Sequence, residues 1–103
     1  MSELKDVTII REANVYFDGA VTSRTILCDS GCKKTLGIAH PGEYTFNTAA
    51  PELMEILAGE LEVSIAGGVW QQVKGGESFE VPADSSFTMK VSKLVDYCCS
   101  FLD

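Results

Sequence analysis

Apolar and polar residues alternate with a period of two along most of this chain, which is the spacing of half-buried strands rather than of helices. The clearest run sets Leu61, Val63 and Ile65 against Glu60, Glu62 and Ser64. Gly67-Gly68 then closes a hairpin whose return strand runs from Val69 to Val73. Glu43 to Thr48 reads as a strand with Tyr44, Phe46 and Thr48 on one face, interrupted by Ala49-Ala50-Pro51. Glu52 to Ala58 also fits helical spacing, but it is short and ends at Gly59, so a separate strand is predicted. Upstream, Val15 to Phe17 is strand-like, and Asp18-Gly19 is a two-residue hairpin signal. Strands follow from Ala20 to Cys28 and from Lys33 to Ala39, the latter with Leu36 and Ile38 on one face. Downstream, Ser78 to Val81 is a short strand. Ser86 to Val91 places Phe87, Met89 and Val91 together, Ser92-Lys93-Leu94 breaks the pattern, and Val95 to Leu102 is the last strand. Residues 1–13 read as a tail or a short edge strand at Val7 to Ile10. Many short strands punctuated by Gly and Pro predict an all-β chain with one jelly-roll β-barrel domain over residues 14–103. Closure of the barrel would remove exposed strand edges.

Composition narrows the function classes. With 103 residues, 46% of them apolar and 22% charged, the chain supports one modest core and is not disordered. A net charge of -7 argues against nucleic acid and anionic membrane surfaces as partners. No apolar run is long enough to cross a bilayer. The start MSELKDV lacks the apolar stretch of a signal peptide, so a cytoplasmic protein is expected. Cys28 and Cys32 are spaced C-x3-C, and Cys98 and Cys99 are adjacent; neither is a zinc-knuckle spacing. All four are expected as reduced, partly buried thiols. His40, the only histidine, precedes Pro41 at a turn and has no spaced partners.

Two glycine-anchored spacings resemble the motifs of the cupin barrels. Glu52-x6-Gly59 matches the end of the first motif, but the histidine positions upstream hold Phe46 and Thr48. Gly76-x5-Pro82 matches the start of the second, followed by Asp84, Phe87 and Val91 where that motif has Gly, His and Asn. The turns are kept while every imidazole is replaced. One remaining carboxylate cannot hold a transition metal by itself, so no metal or other cofactor is expected.

From Asn14 to Leu102 the chain resembles the pyrimidine/purine nucleoside phosphorylases of the small, single-domain cupin type. The resemblance rests on NVYFDG, on TLGI followed by PGEYTFNTAAPELMEILAGELEV, on GESFEVPADSSF and on DYCCSFL. It implies cleavage of purine and pyrimidine nucleosides by phosphate, giving free base and α-ribose 1-phosphate. It also implies a metal-free homodimer.

Such chemistry calls for a carboxylate or hydroxyls near the developing sugar cation, an aromatic surface for the base, and cations for phosphate. Glu52 is the catalytic candidate, because a carboxylate on an apolar strand face is costly without a task; a solvated rim position is the competing reading. Tyr44, Phe46 and Phe87 are candidate stacking residues, although an ordinary core aromatic is the commoner reading for any one of them. Thr48, in a former ligand position, joins them as substrate-binding. Arg24 and Lys34 are the candidate phosphate ligands, Arg24 for its bidentate fork; Lys33, facing away from Lys34, reads as a surface charge. Two other readings compete: a small-ligand binding module without catalysis, which the missing histidines fit equally well, and a metal site built from Glu52 with Cys28 or Cys32.

Overall fold

The computed structural model describes residues 2–102; Met1 and Asp103, the outer ends of the two predicted segments, lie outside the described residues. Among the described residues nine strands follow one another: β1 (Val7–Ile9), β2 (Asn14–Tyr16), β3 (Val21–Cys28), β4 (Lys33–Ala39), β5 (Gly42–Asn47), β6 (Glu52–Ile65), β7 (Trp70–Lys74), β8 (Ser78–Val81) and β9 (Ser86–Phe101). All pairings are antiparallel, in the order β1-β3-β4-β9-β6-β7, with β2 on β3, β5 on β9 and β8 on β6. This is an all-β, cupin-like fold. Among the described residues the pairing is an open path, so the sheet folds over on itself without the ring closure expected of a barrel. Among the described residues no helix is long and apolar enough to cross a membrane.

Two long strands carry the architecture. β6 and β9 pair along their whole lengths, from Glu52↔Phe101 to Ile65↔Phe87. The two halves of β9 pair on their other edge with β4 and β5, while those of β6 pair with β8 and β7. Inner faces of the two halves share one core, in which Val21, Ile56, Leu61, Val63, Met89 and Val95 are almost fully buried. Each such side chain contributes about 2 kcal/mol of apolar burial.

Three predicted boundaries fall differently, each for a local reason. The predicted strands Glu52 to Ala58 and Glu60 to Ile65 are one strand, bent by register shifts between Ile56 and Leu61. Gly59 sits at φ 96°, where a Cβ would strike the Leu94 carbonyl, so only glycine fits the bulge. The bulge changes the inward parity from Met54 and Ile56 to Leu61 and Val63. Likewise Ser92-Lys93-Leu94 does not end a strand; it is the exposed crossing of β9 between its two halves. The hairpin signalled by Asp18-Gly19 does form between β2 and β3, but its connection is longer than two residues, a short 3₁₀ turn at Phe17–Gly19 followed by Ala20. Phe17, Asp18 and Gly19 all have positive φ, at 52°, 56° and 95°. A bulky residue held in the left-handed region costs of order 1–3 kcal/mol. Here the Phe17 ring packs 5.0 Å from that of Tyr44 and 5.4 Å from that of Phe46.

Candidate functional site

Strand alternation decides which side chains meet inside. On β9 the odd residues Phe87, Met89, Tyr97, Cys99 and Phe101 face inward; on β6 it is Glu52 and Met54. β4 supplies Thr35, β3 supplies Ser23 and β5 supplies Phe46. These side chains line a cavity of about 230 Å³. A second cavity of about 500 Å³ meets it at Asn47, Glu52 and Phe101 and continues to Lys33 and the β3–β4 turn. Their sizes lie in the range of small-molecule sites, roughly 300–1,000 Å³ when taken together.

Aromatic rings form one wall. Phe46 and Phe87 are cross-strand partners, with centroids 5.6 Å apart and planes inclined by 26°. Tyr16 meets the edge of Phe46 at 5.7 Å. The half-buried carboxylate of Glu52 lines the same cavity. The Cys99 thiol donates a hydrogen bond to its Oε1 at 3.4 Å. Burial pushes Glu52 above the usual carboxylate range, and the Cys99 hydrogen bond partly offsets this. Burial, and then the Glu52 charge, push the Cys99 thiol far up, so it stays protonated as a donor. Burial pushes the Tyr97 phenol up to about 12, with a smaller opposing contribution from the Ser23 side chain. The phenol therefore also remains a donor at neutral pH. Tyr97 fits because its direct partner on β4 is Gly37: a Cβ there would lie 2.6 Å from the Tyr97 hydroxyl oxygen.

The cavity brings together Glu52, Phe46 and Phe87 of the sequence candidates. The other four lie elsewhere. Tyr44 is buried beside them, but its hydroxyl donates to the His40 carbonyl at 2.7 Å, fixing the β4–β5 turn. Thr48 Oγ1 donates to the Pro82 carbonyl at 2.7 Å and accepts from the Ser85 N–H at 3.0 Å, tying two loops. Arg24 and Lys34 are one residue out of phase with Ser23 and Thr35, which places both on the outer face. Arg24 Nε donates to the Arg11 carbonyl at 2.9 Å, and Lys34 Nζ donates to Ser100 Oγ at 2.8 Å. Lys33 is the cation on the cavity side.

The expectation of four reduced thiols is corrected at one pair. The β3–β4 hairpin brings the Cys28 and Cys32 Cα atoms to 5.0 Å, and the two are joined by a disulfide. Cys98 and Cys99 are free, buried and on opposite faces. Among the described residues no group of three or more His, Cys, Asp or Glu side chains could hold a metal ion.

Sequence reasoning missed Tyr97, Cys99, Phe101 and Ser23 as cavity residues. The odd-residue phase that places Phe87 inward also selects Tyr97, Cys99 and Phe101, had β9 been read as unbroken.

Comparison with known proteins bears on the family and the fold. Residues 11–101 match the family model described as pyrimidine/purine nucleoside phosphorylase. A curated relative from Geotalea uraniireducens (strain Rf4) bearing that description is 67% identical over 104 residues, covering 100% of both chains. Among solved structures, a protein of unknown function from Acinetobacter sp. ADP1 superposes with a TM-score of 0.94 at 39% identity, covering 97% of this chain and 98% of that one. An RmlC-like cupin from Shewanella frigidimarina NCIMB 400 superposes with a TM-score of 0.71 at 17% identity, covering 87% and 81%, and so supports the fold alone.

Proposed function

The chain belongs to the pyrimidine/purine nucleoside phosphorylase family, and from that premise we propose that it cleaves both purine and pyrimidine nucleosides with inorganic phosphate. The products are the free base and α-D-ribose 1-phosphate. One observation carries the reading: a half-buried carboxylate, Glu52, and a stacked aromatic pair, Phe46 and Phe87, line one cavity, and Glu52 also lines the adjoining second cavity.

As the bond from C1′ to the base stretches, the ribose gains positive charge. Ionised Glu52, screened from water on its inner side, stabilises that charge more strongly than bulk solvent does. Phe46 and Phe87 provide faces on which either class of base stacks, because every base has a π-face. Tyr97 keeps its proton and serves as a hydrogen-bond donor to the ribose or to the departing base. Phosphate is the co-substrate, and no resident metal or other cofactor is required. On the outer face, the exposed Leu36 and Leu57 flank Lys34 and Glu55. That mixture of apolar surface and opposite charges supports the reading of a homodimer, which we place in the cytoplasm.

The test is release of base from uridine and inosine, with and without phosphate, and with EDTA in parallel. Phosphate-dependent release that EDTA leaves unchanged is expected. Nucleoside binding with no phosphate-dependent release from any common nucleoside would identify a non-catalytic binding module instead.

A further inference from the structure

The phosphorolytic reading needs an anion site, and neither outer-face cation supplies one. A single row across the sheet does. Phe101 on β9 is the direct partner of Lys33 on β4 and, on its other edge, of Glu52 on β6. Lys33 Nζ lies 4.9 Å from the Phe101 ring centroid, a cation–π contact that holds the ammonium over the shared wall of the two cavities. Strands stand about 4.8 Å apart, so the Lys33 and Glu52 backbones are roughly 10 Å apart. That spacing accommodates a phosphate beside a sugar. Among the described residues, Lys33 is the only Lys, Arg or His lining either cavity.

We propose that Lys33 binds the attacking phosphate in the second cavity, with the Asn47 carboxamide as a further N–H donor. The base then occupies the aromatic cavity, the ribose sits at the junction by Glu52, and phosphate approaches from the opposite side. A chain of net charge -7 repels a phosphate dianion at long range, so a local cation is what makes that chamber habitable for it. Lys33 adjoins Cys32, and the Cys28–Cys32 disulfide closes the turn immediately before it, which fixes the backbone from which the Lys33 side chain extends.

Lys33→Gln keeps length and polarity but removes the charge. The expected result is a KM for phosphate raised about ten- to a hundred-fold, the range for losing one charge-assisted hydrogen bond. The KM for nucleoside should stay within about twofold, and Lys33→Arg should recover most of the phosphate affinity. An unchanged phosphate KM in Lys33→Gln, or a rise seen instead in Lys34→Gln or Arg24→Gln, overturns the assignment. Thermal shift with inorganic phosphate alone provides a readout independent of turnover. The wild type should be stabilised by phosphate, and the Lys33→Gln protein should not, while keeping its circular dichroism spectrum. If no nucleoside is cleaved, the phosphorolytic reading falls, yet the thermal shift still decides whether Lys33 holds the anion; equal stabilisation of both proteins sinks the proposal.

Discussion

The Cys99 thiol donates a hydrogen bond to Glu52 Oε1 at 3.4 Å, linking a buried thiol on β9 to the one carboxylate that lines the aromatic cavity among the described residues. The contact lowers the proton affinity of Glu52 and raises that of Cys99, while burial raises both.

Glu52 costs stability in its working form. Its proton affinity in the folded chain exceeds that in the unfolded chain. Its contribution to stability is therefore complete below the unfolded carboxylate range and is lost as pH rises through the folded value. Glu52→Gln, which keeps the shape and an acceptor for Cys99, should raise the melting temperature at pH 7 to 8 and leave it nearly unchanged at pH 4. The same substitution should lower kcat about a hundred-fold or more. Melting curves at both pH values and steady-state kinetics check the two effects together.

Cys99→Ala removes the hydrogen bond that holds the Glu52 proton affinity down. The acid limb of the kcat profile should move to higher pH relative to the wild type. The lost thiol should also cost about 1 kcal/mol of stability. A pH–rate profile and urea unfolding measure these separately.

Phe46→Leu keeps an apolar side chain next to Phe87 but removes the stacking face. The KM for both uridine and inosine should rise about tenfold, and the KM for phosphate should not follow. A loss confined to one class of base would show that Phe46 reads base identity and does not stack indiscriminately.

Gly59→Ala tests the bend in β6. An L-residue at φ 96° is strained, and its Cβ would strike the Leu94 carbonyl. A loss of about 3 kcal/mol or more is expected from urea unfolding. By contrast, Gly67→Ala, also at positive φ but with nothing within 4 Å of the added carbon, should cost clearly less.

Much of the fold was legible in the residues. Alternation such as Leu61, Val63, Ile65 against Glu60, Glu62, Ser64 is a local property, and it determined the all-β class and most strands. The Glu52-x6-Gly59 and Gly76-x5-Pro82 spacings identified the cupin turns, and strand parity grouped Glu52 with Met54 and Ile56 and pointed to Phe46 and Phe87 as inward-facing. What alternation cannot say is which face of a strand is the inner one. Leu36 and Ile38 were read together as one apolar face, yet they lie on the outside. Thr35, Gly37 and Ala39 face inward, because Tyr97 needs the space above Gly37. Phase also cannot be carried across an unrecognised bulge or crossing. Gly59 and the Ser92-Lys93-Leu94 segment each looked like a strand end, so Tyr97, Cys99 and Phe101 were never linked to Phe87. The row Lys33–Phe101–Glu52 joins residues distant in sequence. The chain by itself determined which residues alternate; only long-range pairing of β4, β9 and β6 decided which of them share a cavity.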